Sequence, residues 1–140
     1  MDSDAADSRV PAAWAEWPVC RLADIVPPGA RGFLVGDGDW PVRGFVVRPG
    51  DGVFAYLNVC PHARHALDLT PHTFLVPDGT MIRCASHGAL FTPETGECVA
   101  GPCVGARLMP LPVRVDDGGT VWVRAPGSMR DERLAGWTGL

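Results

Sequence analysis

Turn sequences recur along the chain, and they constrain the fold more than any other feature. In Pro49-Gly50-Asp51-Gly52 the proline fixes φ and a glycine takes φ > 0, so the backbone reverses tightly. Pro77-Asp78-Gly79-Thr80, Thr95-Gly96 and Asp116-Asp117-Gly118-Gly119 repeat the signal. The runs between them are rich in Val, Phe and Trp, which suit a pleated, half-buried surface. With 17 Gly and 14 Pro in 140 residues, the expected class is all-β, built from antiparallel hairpins. Strands are expected at 17–22, 41–48 and 53–60, with a turn at 27–32 and a short strand from 33 that turns by 40. Further hairpins pair 73–76 with 81–84, the two sides of Thr95-Gly96, and 111–115 with 120–125.

The length fits one domain with a core of its own. Residues 1–13 are small, polar and acidic and are expected to be disordered. The domain is expected over 14–125, and 126–140 reads as a C-terminal tail. Val42, Phe45, Val47, Phe54, Tyr56, Val113, Val115, Val121 and Val123 are the core candidates, and the five tryptophans read as packing residues. The net charge is −4, and all 12 basic residues are arginines scattered without a run. Nucleic acid and anionic membrane surfaces are therefore unsuitable partners. The opening residues have no basic and apolar regions of a secretory signal, and no stretch has the ~18 apolar residues of a membrane helix. A cytoplasmic location is expected, where cysteines stay reduced or bind metal.

Two cysteine–histidine pairs carry the chemistry. Cys60-x-His62 and Cys84-x-x-His87 are separated by 21 residues, and each is expected at the tip of a hairpin. Zinc accepts two cysteines and two histidines tetrahedrally, so a structural zinc module is one reading. One cysteine and one histidine in each loop also suits a two-metal centre. The two cysteines then share one iron and the two histidines the other. His65 and His72 fit neither slot and read as exposed loop residues. Cys20 reads as core, and Cys98 and Cys103 read as free thiols or as a pair with each other.

The pattern resembles that of Rieske-type [2Fe–2S] ferredoxin domains. Cys60, His62, Cys84, His87 and Gly88 match its ligand loops, and Phe91, Thr95-Gly96-Glu97 and Gly101-Pro102 match its downstream turns. The resemblance spans residues 17–125. It implies stacked antiparallel sheets and a cluster-binding subdomain of two loops within 58–104. Cys60, His62, Cys84 and His87 would be the cluster ligands. Three positions depart from the family: the interval between the pairs is longer, and Arg64 and Ala85 replace a common glycine and proline.

The resemblance further implies a soluble one-electron carrier, fed by a flavin-dependent reductase and discharging to a terminal oxygenase. Alternatives are a small subunit of a larger oxidoreductase, as in nitrite reductase, or a redox or iron–sulfur sensor. No catalytic set of its own is visible. Ala63, Arg64, Ala85, Ser86 and Gly101-Pro102 would rim the docking patch. High-potential relatives tie their loops with a disulfide and place hydroxyls where Ala89 and Phe91 stand here. The resemblance therefore implies a low-potential centre.

Overall fold

The computed structural model describes residues 14–36, 38–61, 65–68, 70–135 and 137. The disordered segment expected at 1–13 lies outside them. Among the described residues, ten strands form three antiparallel sheets. Strands β1 (Ala15–Arg21), β9 (Val113–Val115) and β10 (Thr120–Ala125) make the first, in the order β1-β10-β9. The second is β2-β3-β4-β8, from β2 (Gly29–Val35), β3 (Val42–Arg48), β4 (Phe54–Leu57) and β8 (Pro110–Leu111). The third is β5-β6-β7, from β5 (Ile82–Arg83), β6 (Leu90–Phe91) and β7 (Cys98–Ala100).

The second sheet is the wall between two cores. Side chains alternate across a strand, so successive residues serve opposite faces. On β3 and β4, Val42, Val46, Ala55 and Leu57 join Val121, Val123 and Ala125 of β10 in the first core. Phe45, Val47 and Tyr56 point the other way and join Ile82, Phe91, Cys60 and Cys84 in the second. Burial on both faces explains why Phe45-Val46-Val47 is an unbroken apolar run, unlike β10, where buried and partly exposed residues alternate. Phe45 stacks on Phe74, with ring centroids 4.3 Å apart and planes 9° from parallel.

The expected hairpins at 49–52, 95–96 and 116–119 form as β3–β4, β6–β7 and β9–β10. Asp116 organises the last. Its carboxylate accepts from the Thr120 amide and from Trp122 Nε1, both at 2.9 Å. These bonds hold its carboxyl below the usual range.

Four details differ from the sequence reading. The expected turn at 27–32 is already strand from Gly29, because the β3 ladder recruits Gly29, Ala30 and Arg31 against Arg48, Val47 and Val46. Thr73–Val76 contributes one bridge, Leu75 to Ile82, rather than a strand, and Ile82–Arg83 instead pairs with Leu90–Phe91. Val113 is only partly buried against the first core and Val115 is 36 % exposed, because both stand on β9, the edge strand of the first sheet. Beyond residue 125, the short helix α1 (Glu132–Ala135) sets Leu134 into the first core at 2 % exposure, and Trp137 Nε1 donates to the Arg107 carbonyl at 3.2 Å.

Candidate metal centre

Three loops leave the second core on one side. The first comes after β4. The Asn58 amide donates to the Arg43 carbonyl, and the Cys60 amide donates to the His65 carbonyl at 2.7 Å, which closes the loop on itself. The buried Asn58 side chain locks its base: Oδ1 accepts from the Leu67 amide at 2.8 Å, and Nδ2 donates to Asp68 Oδ1 at 2.9 Å. Nothing in the sequence singles out Asn58, because asparagine beside a turn is ordinary. Asn58→Ala is expected to leave the buried Leu67 N–H without a partner and to cost about 1–3 kcal/mol. Denaturant unfolding and hydrogen exchange at Leu67 check this; an unchanged Leu67 amide would show that Asn58 does not hold the loop.

The second loop comes after β5. The Gly88 amide donates to the Cys84 carbonyl and the Cys84 amide to the Ala89 carbonyl, both at 2.9 Å. Gly88 takes φ 74°, a left-handed conformation that lets the chain reverse directly after His87. The Ala85 amide reaches across to the Leu67 carbonyl at 2.9 Å and ties the second loop to the first. The third loop runs from β7 to Ala106. At Gly101 an added Cβ would lie 2.8 Å from the Cα of Ala89, so this loop rests directly on the second.

The thiols lie inside and the imidazole outside. Cys60 and Cys84 are fully buried among Leu67, Phe91 and Leu108, whereas His87 is exposed. Ser86, Gly101 and Pro102, expected at the rim, are exposed, and Ala85 is half-buried. His62, Ala63 and Arg64 lie outside the described residues. His65 is half-buried and its ring centroid lies 5.9 Å from that of His87. Its spacing fits no ligand slot and suggests a bystander, yet it stands at the site. His72, in contrast, is remote in role: its Nδ1 accepts from the Gly32 amide at 3.0 Å. Beside His65 opens a hollow of ≈ 440 Å³, walled by Trp40, Pro41, Arg43, Asn58 and Met129.

Cys98 and Cys103 share the second core with Cys60 and Cys84. Burial pushes the Cys103 thiol up to about 12, and its hydrogen bond to Cys98 and the neighbouring Cys98, Cys60 and Cys84 sulfurs add to the shift. Cys20, by contrast, lies partly buried on β1, packed against the first core.

The model of the Rieske [2Fe-2S] domain matches residues 16–116. The chain belongs to that family. The Rieske fold accounts for the three sheets, and the Rieske domain is defined by a [2Fe–2S] cluster. Among solved structures, the ferredoxin of carbazole 1,9a-dioxygenase from Nocardioides aromaticivorans is 32 % identical, with a TM-score of 0.60 over 80 % of this chain and 98 % of that one. The Sphingomonas yanoikuyae ferredoxin is 26 % identical, with the same TM-score, over 80 % of this chain and all of its own. A nitrite reductase small subunit from Mycobacterium tuberculosis, 22 % identical with a TM-score of 0.53, shares the fold over 80 % of this chain and 96 % of that one. No curated protein sequence matches the chain.

The donor set fits the Rieske cluster. Two thiols in a dry core are soft donors that would suit one iron, and the exposed imidazole on the Cys84 loop is a donor that would suit the other. Among the described residues no helix is long and apolar enough to cross a membrane.

Proposed function

We propose that Cys60 and Cys84 hold the inner iron of the [2Fe–2S] cluster, and His62 and His87 the outer one. The protein is then a carrier rather than a catalyst. It accepts electrons from a flavin-dependent reductase and passes them to a terminal oxygenase in the cytoplasm. The observation that carries this reading is the opposed exposure of the two kinds of ligand: fully buried thiols and an exposed His87. When bound, the cluster takes up and releases one electron. The residues of the chain do the rest. Leu67, Phe91 and Leu108 exclude water from the cysteine side. The Asn58 and Ala85 hydrogen bonds fix the loops that carry the ligands. The exposed edge around His87 gives a partner close access, and the hollow beside Trp40 and His65 gives it a surface to sit against. The likeness to dioxygenase ferredoxins, which extends over their full length, favours an oxygenase as acceptor. Leu134 and Trp137, beyond residue 125, pack on this same domain.

Purified anaerobically, the protein is expected to be brown, with two irons and two sulfides per chain, and to give a rhombic EPR signal once reduced. It is expected to be reduced rapidly by a flavin-dependent NAD(P)H reductase and to be reoxidised by an oxygenase. A colourless protein holding a single zinc sinks the cluster assignment. A brown protein that is isolated only in a stable complex with a larger oxidoreductase subunit overturns the free-carrier assignment and leaves the cluster standing.

A further inference from the structure

Cys98 and Cys103 form a second sulfur pair, and no cluster ligand position falls on either. Cys98 stands on β7, and Cys103 lies in the turn after it. Both are buried, at 4 % and 7 % exposure. The Cys103 thiol donates to Cys98 Sγ at 2.8 Å, and Cys98 donates to the Ala100 carbonyl at 3.3 Å. The backbone fixes this approach. The Cys98 amide donates to the Ala106 carbonyl, and the Ala106 amide donates to the Cys103 carbonyl, both at 2.9 Å. The two sulfurs need only a small inward movement to reach the ~2.05 Å of a disulfide bond. Cys98 borders a hollow of ≈ 580 Å³ walled by Glu97, Val99, Val104 and Arg107, and Val99 and Val104 are 46 % and 65 % exposed. Cys103 is not among the residues lining that hollow.

The geometry points to a second redox centre: Cys98 and Cys103 are a dithiol–disulfide couple that exchanges with low-molecular-weight disulfides. Cys98, as thiolate, attacks one sulfur of the reagent through the hollow. The reagent S–S bond breaks, a mixed disulfide forms on Cys98, and the first thiol leaves. Cys103 then attacks the Cys98 sulfur and displaces the second thiol. The Sγ98–Sγ103 bond forms, two electrons pass to the reagent, and the two cysteine protons end on the two released thiols. The cluster moves one electron at a time, so the pair is a separate two-electron store, closing the base of the third loop beside the cluster cysteines.

The test equilibrates the holoprotein, without oxygen, in glutathione buffers of stepped reduced-to-oxidised ratio. Each sample is then acid-quenched, alkylated under denaturing conditions and peptide-mapped, with the cluster's visible spectrum recorded in parallel. The expected result is one transition, in which Cys98 and Cys103 together lose alkylation and gain an internal bond while the spectrum persists. Cys103→Ser is expected to stop at Cys98 bearing one glutathione, and Cys98→Ser to take up none at Cys103. Alkylation of both cysteines at every ratio overturns the proposal. So does glutathione captured on Cys103 when Cys98 is replaced. The proposal stands apart from the carrier reading: a chain without a cluster still shows in the map whether the bond joins 98 to 103 or involves Cys60 and Cys84.

Discussion

Cys84→Ala is expected to bind no cluster, to lose the visible absorption entirely, and to keep its β-sheet circular dichroism. The reason is the division of the interior. Cys60 and Cys84 belong to the second core, and neither contributes to the first. The first core has β1 and β10 closed over it by a long antiparallel ladder from Ala15↔Ala125 to Arg21↔Thr120. Burial of Val121, Val123, Leu57 and Leu111 there is worth about 1.5–3 kcal/mol per side chain, independent of any metal. In the second core the proposed cluster would tie loops held by backbone bonds such as Cys60 to His65, Ala85 to Leu67, Gly88 to Cys84 and Cys84 to Ala89. Metal binding then contributes to the folding of that half. Hydrogen exchange is the measurement. The amides of Cys60, Cys84, Ala85 and Gly88 are expected to lose protection, and those of Trp122 and Val123 to keep it. If all of them exchange together, the halves are one cooperative unit and the division is wrong.

The midpoint potential is expected near the negative end of the Rieske range, which runs from about −150 to +300 mV. Hydrogen bonds donated to cluster sulfurs stabilise the reduced, more negative state and raise the potential. Ala89 and Phe91 fill the positions where high-potential relatives, by resemblance, carry hydroxyls, and both are fully buried. Neither side chain can donate. The one tyrosine of the chain does not substitute for them. The Tyr56 hydroxyl donates to the Pro93 carbonyl at 2.7 Å, and burial raises its pKa, so it stays protonated and committed there. Ala89→Ser and Phe91→Tyr are each expected to raise the potential by about 60–130 mV, if one charge-assisted hydrogen bond is worth about 1.5–3 kcal/mol. An EPR-monitored redox titration checks this. A wild-type midpoint above roughly +200 mV refutes the argument. It would mean that backbone donors dominate the tuning.

Much of this was legible in the residues, and for identifiable reasons. That Cys60 and Cys84 come together is readable because the family pattern sets cysteines at fixed spacings, and the hairpins because Gly and Pro act locally. What escaped depends on partners far along the chain. Gly29 to Arg31 reads as a turn by composition and becomes strand because β3 lies alongside. Val115 has core chemistry and pairs with the buried Val121, yet it stands on the edge strand β9 and stays 36 % exposed. Leu134 looks like part of a tail and is buried, because only the folded first core offers it a place. His65 stands beside His87 although its spacing matches no motif, since loop closure through the Cys60–His65 bond brings it there.

The wall between the cores gives each residue along it a single allegiance. On β3 the even positions, Val42 and Val46, face the scaffold, and the odd ones, Phe45 and Val47, face the half that carries the ligands. On β4 the parity reverses, with Ala55 and Leu57 on the scaffold side and Tyr56 on the other. An evolving lineage, or an engineer, can thus reshape the surroundings of the redox site through Phe45, Val47 and Tyr56 alone. Neighbouring positions on the same strands stay free to maintain the rest of the molecule.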